Sequence, residues 1–349
     1  MKATMLSSTD YDEYGRTGAM ALRFFALSIV AICVGFLINN YLIFWRDWPG
    51  IGNLFSHLQW FGAEPLRKPH ADGLPALGWL QILLYVLLIG LVATYVGRTS
   101  TRGLRLDAKH LSGLAAFIIR AAFWSVLLIG VIDTAISFLR VEGFLSFFVG
   151  EKLPTELGLS RFRGTFVHYP LIVISLVIAY FTRTLGFIWL ALLVVIAELQ
   201  IVIARFIFSY EQAFMGDLVR FWYAALFLFA SAYTLTEEGH VRVDVLYASF
   251  SEDKKAWANM LGSLFLGLPL CWVILTMGMA GRATIINSPL LSFETSQSGF
   301  GLYVKYLMAG FLAIFAVSMM VQFTSYFLSS AADLRGEPRK PEPTDTLTQ

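Results

Sequence analysis

Charge is what this sequence has least of. Asp, Glu, Lys and Arg together make up 14% of its 349 residues, against about a quarter in soluble domains. So little polar surface excludes a protein that faces water on every side. Cysteine is nearly absent: Cys33 and Cys271 both fall inside apolar runs. That leaves no disulfide framework and no CxxC metal site, and both read as small hydrophobes. The five histidines, His57, His70, His110, His168 and His240, are scattered at connections or helix ends, which offers no facing pair for a b-type haem. There is no HExxH zinc helix, GxSxG elbow or Walker loop, so no catalytic, cofactor-binding or metal-ligating set is read and no enzyme is expected. A net charge of +2 without a basic stripe gives no reason to expect a nucleic-acid partner.

What is abundant is apolar. Hydrophobic residues reach 57%, 30 of the residues are Phe, and the mean hydropathy is +0.67. They gather in runs of about 18 or more, long enough to cross ~30 Å of hydrocarbon at ~1.5 Å per residue. Eight spans are read, at roughly 22–45, 79–97, 114–139, 166–182, 186–207, 215–237, 256–279 and 303–328. Backbone polar groups in lipid must be satisfied internally, and the runs are too continuous for the alternation of a β-barrel. The predicted fold class is therefore all-α, a polytopic transmembrane bundle in contact with membrane lipid. The first apolar run exceeds a signal core in length and is expected to stay as an anchor.

Basic residues orient the bundle. Arg98, Arg102, Arg105 and Lys109 follow the second span, Arg242, Lys254 and Lys255 follow the sixth, and Arg335, Arg339 and Lys340 lie in the tail. The positive-inside rule then favours N-in, C-in. Segments 46–78 and 140–165 balance their basic residues with acids and are expected outside, the former with a short interfacial helix. The sequence divides into a segment 1–21, a four-helix group 22–183, a second group 184–332, and a charged, Pro-rich tail 333–349 expected to be disordered.

Ionisable residues inside spans are functional candidates by default. Asp133 sits within two turns of the third span's outer end and is expected to reach water. Glu198, about 18 Å into the fifth span, is the strongest candidate for a buried polar residue. Facing another helix, neighbouring Gln200, and a proton-relay role all stay open for it.

The most informative stretch runs from Arg205 to Tyr247, RFIFSYEQAFMGDLVRFWYAALFLFASAYTLTEEGHVRVDVLY. Arg205 and Asp217 close consecutive helix ends, where each can reach headgroups or the other, and Arg220 shares a helical face with Asp217. At the other end His240, Arg242 and Asp244 alternate with valines after Gly239, suiting a charged turn or a segment with one wet face. The R-F-x-F, the acid opening the next helix, the apolar span and G-H-V-R-V-D resemble the Q-type small membrane subunit of tripartite ATP-independent periplasmic (TRAP) transporters, over about residues 186–332. The sequence departs from that pattern at Phe214-Met215-Gly216-Asp217, where the family has one or two glutamates after a tryptophan. It also places four spans ahead of the usual four, a long variant with an N-terminal extension.

That resemblance implies a small permease subunit in the bacterial inner membrane. It would scaffold a large membrane subunit during ion-gradient-driven uptake of a solute, expected to be a carboxylate, delivered by a periplasmic binding protein. Any sodium would bind the large subunit. Arg205, Asp217, Arg220, His240, Arg242 and Asp244 are then candidate partner-contact or interfacial residues. A self-contained transporter or channel, or the anchor subunit of a membrane enzyme, are the alternatives.

Overall fold

A computed structural model describes residues 8–62, 74–183, 187–236, 245–296 and 301–337. Every regular element among them is helical. Eight helices are long and apolar enough to cross a membrane: α1 (Ser8–Trp45), α2 (Leu74–Arg98), α3 (Leu104–Val141), α4 (Ser160–Phe181), α5 (Phe187–Phe208), α6 (Ala213–Thr236), α7 (Glu252–Gly278) and α8 (Lys305–Leu334). The chain is a multi-pass membrane protein. All eight expected spans are present. α3 begins ten residues before its expected edge because the polar opening LRLDAKHLSG, too charged for an apolar window, is nonetheless helical.

The bundle is built on the pair α3 and α8, which share the most extensive interface in the molecule, and α6 packs against both. α4 covers the other flank of α3, α7 and α1 line α8, and α2 is held mainly by α1. α5 is the other peripheral helix, resting on α6 with a slight touch to α3. The four-helix groups read from the sequence thus interlock, since α3 comes from the first and α6 and α8 from the second. Gly130 lets α3 and α6 approach, because a Cβ there would run into the indole of Trp222. That indole donates from Nε1 to the Val126 carbonyl at 3.2 Å.

Three apolar clusters fill the interior. One joins α3, α4, α5, α6 and α8 around Phe221, Trp222, Phe229 and Phe311. A second joins α1, α3 and α8 around Leu104, Leu328 and Ala332. In the third, Cys33 and Cys271 are free thiols packed among Leu275, Ala316 and Met320, the role their apolar setting suggested. Large side chains are exposed around the outside, as Leu91 at 65% and Phe265 at 66%, the inverse of a soluble protein and suited to lipid.

One end of the bundle is rich in connecting segments and carries short helices at Ile51–Leu58, Phe144–Val149 and Asn287–Ser292. The first falls in segment 46–78, where a short helix is expected. At the opposite end the start of α1, the α2–α3 turn and the end of α8 converge. There Arg23, fully buried, gives Nε to Asp107 at 2.6 Å and both Nη atoms to Thr99, at 2.6 and 2.7 Å. Glu337 accepts the backbone N–H groups of Leu104 and Arg105 at 3.0 and 3.2 Å, placing a carboxylate on the positive end of α3. The tail expected to be disordered from 333 therefore continues helical through Leu334, and Glu337 is pinned beyond it. α8 runs on because its last turn, Ala331–Leu334, packs on α3 and Asp333 pairs with Arg105 at 2.8 Å.

Candidate functional site

Two aspartates meet the chain just before α8. Asp217, near the start of α6, accepts the backbone N–H of Leu302 at 3.1 Å and the hydroxyl of Ser296 at 2.9 Å. Asp133, from α3, accepts the backbone N–H of the next residue, Tyr303, at 2.9 Å. Consecutive amides at the mouth of a 30-residue helix are thus held by carboxylates on two different helices. Negative charge there complements the helix dipole, and the two amides, which lie ahead of the N-cap Val304, find acceptors on neighbouring helices.

Asp133 is the centre of this arrangement and is fully buried, contrary to the expectation that it reaches water. The cause lies in residues 144–163, whose short helices fold back across the end of α3. They bring in Arg163, also fully buried, whose Nη1 donates to Asp133 and to Ser137, each at 3.0 Å, and whose Nε donates to the Leu157 carbonyl at 2.9 Å. The guanidinium lies over the ring of Tyr303, with Cζ 4.1 Å from its centroid, a cation–π contact in a desolvated setting. The Tyr303 hydroxyl donates to the Gly158 carbonyl at 2.8 Å and accepts from Arg140 at 2.9 Å.

His168 completes the set. Its Nε2 lies 3.1 Å from Asp133 and its Nδ1 lies 2.8 Å from the hydroxyl of Tyr306. A carboxylate can only accept, so Nε2 carries the hydrogen, and in the neutral ring Nδ1 accepts from the tyrosine. A π-helical turn, Gly164–His168, sets the position of the histidine, a feature often found at functional positions. Gly164 is required there because a Cβ would enter the ring of Phe293. Phe293 itself sits in the left-handed region at φ 51°, unusual for an aromatic residue, and packs on Tyr306 with centroids 5.2 Å apart.

The residues singled out from the sequence divide sharply. Asp217 belongs to the site. Arg220 pairs with it at 3.5 Å on the same face, exposed on its outer side. Arg205 does not reach Asp217; it pairs with Glu211 at 3.5 Å, both largely exposed. Tyr210, beside them, donates to Glu142 at 2.6 Å, and burial, then that carboxylate, push its phenol up to about 12. Glu198 is exposed on the outer face of α5, which corrects its reading as a buried polar residue. The stripe of α5 that packs inward runs through Leu190, Val194, Ala197 and Ile201, and Glu198 falls beside it. His240, Arg242 and Asp244 lie outside the described residues.

Arg163 and His168 were missed. Each stands at the edge of an apolar run, where a basic residue reads as interfacial, and only the fold-back of 144–163 buries them. One signal was available: a histidine and an acid near the same end of adjacent spans, as His168 and Asp133 are. Among the described residues no three His, Cys, Asp or Glu side chains converge to hold a metal ion. The site is a buried polar lock, with Asp133, Arg163 and His168 all shut off from solvent.

Residues 191–332 match the family model for the DctQ component of tripartite ATP-independent periplasmic transporters. The match covers about two-fifths of the chain and takes in α6, α7 and nearly all of α5 and α8. Neither a curated protein nor a solved structure matches. Of the lock, Tyr303, Tyr306 and Asp217 lie inside the matched segment, whereas Asp133, Arg163 and His168 lie in the helices that precede it.

Proposed function

We propose, from the DctQ component that residues 191–332 carry, that this chain is the small permease subunit of a tripartite importer, working in transport rather than catalysis. It would sit in the inner membrane, N-in and C-in, beside a larger membrane subunit that holds the transport path and the ion sites. A periplasmic binding protein would deliver the solute, expected to be a carboxylate. The observation that carries the reading is the DctQ match itself. The geometry supports the scaffolding role, because the charges buried at the two ends of the bundle are paired within the chain, Asp133 with Arg163 and Arg23 with Asp107. The helices are locked to one another by α3–α8 packing and by the Asp133 and Arg23 networks. A transporter's own path instead calls for interrupted helices around an accessible site.

The four N-terminal helices take a place in the same reading. α3 braces the last helix of the DctQ component along its length, and Asp133, Arg163 and His168 hold its entry. The extension is then an added scaffold rather than the transport unit. His240, Arg242 and Asp244, in the connection between α6 and α7, are assigned to contact with the large subunit. Arg205 and Arg220, exposed at the loop-rich end, are assigned to its periplasmic surface.

The test is transport by the chain alone. Purified and reconstituted into liposomes with an imposed sodium gradient, it should take up none of a panel of labelled carboxylates above protein-free vesicles. Gradient-dependent uptake without a second subunit would refute the subunit reading.

A further inference from the structure

Among the described residues, α5 is packed along one stripe, and the remainder of its surface is bare. Glu198 stands about 100° around the helix from the buried Ala197. It is exposed and makes no hydrogen bond or ion pair with any described residue. It lies in the middle of the 22-residue helix, ~16 Å from the first residue by the rise per residue, hence near mid-membrane depth.

Its neighbours along the same face are Ile188, Ala191, Val195, Val202 and Arg205, a regular alternation of three- and four-residue steps through Glu198. Ile188 is 77% exposed, Val195 61% and Val202 49%. This spacing is the seam by which one helix receives another, and small or β-branched residues on it let two backbones approach. A carboxyl group on such a seam is the anomaly. Ionisable side chains at that depth face a bundle interior or a partner, because hydrocarbon offers them no hydrogen bond.

We infer that the Glu198 stripe of α5 is the intramembrane docking surface for the larger membrane subunit, whose facing helix places a hydrogen-bond donor opposite the carboxyl group. This rests on the subunit reading. Charge complementarity selects the occupant. A second copy of this chain would present the same face across a twofold axis and set one acid against another. Lipid tails would leave the group without any partner. A helix bearing Arg, Lys, Asn, Gln or a hydroxyl satisfies it. α5 suits the task mechanically, being the helix of the DctQ component that its own chain covers least; only 11% of its apolar window is buried.

The experiment uses the full chain co-expressed with the large subunit of the same system. A photo-crosslinking amino acid is placed at Val195 or Val202, and, as lipid-facing controls, at Leu83 or Val86 on α2. The stripe positions should crosslink to a peptide of the large subunit, identified by mass spectrometry, and the controls should not. Glu198→Leu should lower the amount of large subunit recovered with the tagged chain roughly three- to fifteenfold, with Glu198→Gln falling between it and the unmodified chain. The melting temperature of the isolated Glu198→Leu chain should be unchanged or higher, which separates lost docking from lost folding. If the large subunit is recovered but the stripe crosslinks only to lipid or to a second copy, the docking surface is wrong and the subunit reading stands. Wild-type recovery with Glu198→Leu overturns it equally. Should the large subunit fail to associate with the unmodified chain at all, the subunit reading falls and takes the docking surface with it.

Discussion

Removing the Asp133 carboxylate should be among the most damaging single changes to this fold. It accepts from Arg163 at 3.0 Å, His168 at 3.1 Å and the Tyr303 backbone at 2.9 Å, and neither it nor Arg163 is exposed to solvent. Asp133→Ala strands a buried guanidinium and orphans a buried N–H, for which breaking a buried ion pair costs about 3–5 kcal/mol. Asp133→Asn keeps an acceptor for Tyr303 and loses the charge. It should cost about half as much, since charge-assisted hydrogen bonds are roughly twice as strong as neutral ones. Arg163→Met removes the other charge and keeps volume over the Tyr303 ring. The double variant leaves no unpaired ion, so it should be less destabilised than the sum of the single changes by at least about 2 kcal/mol. Unfolding by SDS in mixed micelles, followed by tryptophan fluorescence, gives the four stabilities of the cycle. If Asp133→Ala costs under about 1 kcal/mol, or the two changes add to within about 0.5 kcal/mol, the carboxylate is not the keystone of this end of the bundle.

Gly164→Ala should destabilise the chain by about 1–3 kcal/mol, the usual cost of overpacking, because its methyl group meets the Phe293 ring. Combining it with Phe293→Leu should recover part of the loss in the same assay. Asp217→Ala frees the Leu302 amide and the Ser296 hydroxyl, so amide exchange across 301–304 should speed up while the core of α6 stays protected. Unchanged exchange there would mean that the segment is held from the Asp133 side alone. Single cysteines in the connections at 99–103 and 238–251 should resist membrane-impermeant reagents in whole cells and react after permeabilisation. The native Cys33 and Cys271 are buried and give little background. Labelling of both connections from outside would invert the topology.

The helices were legible in the sequence because lipid imposes one rule on every span, and length with hydropathy suffices to apply it. Their packing was not. Nothing in the run 114–139 marks α3 as the spine of the molecule, since a residue that touches a helix and one that touches lipid are both apolar. Gly130, where α3 meets Trp222, was a trace of that contact, but glycine is common in spans. Polar residues were harder still. Asp217 stood out because it opens a helix within a patterned stretch, yet its partner is a backbone amide 85 positions away, and sequence favoured Arg205. Depth along a helix was mistaken for exposure in two directions. Asp133 lies near a helix end and is sealed by a fold-back, whereas Glu198 lies at the middle of a span and faces out.

The most direct test of the account is uptake by the complete system with and without this chain. Liposomes holding the large subunit, supplied with the binding protein and a labelled carboxylate that it binds, should accumulate solute under a sodium gradient only when the chain is present. Asp133→Ala should reduce that uptake in step with its loss of folded chain. Equal uptake in liposomes that lack the chain would contradict the claim that it is a working subunit of the importer.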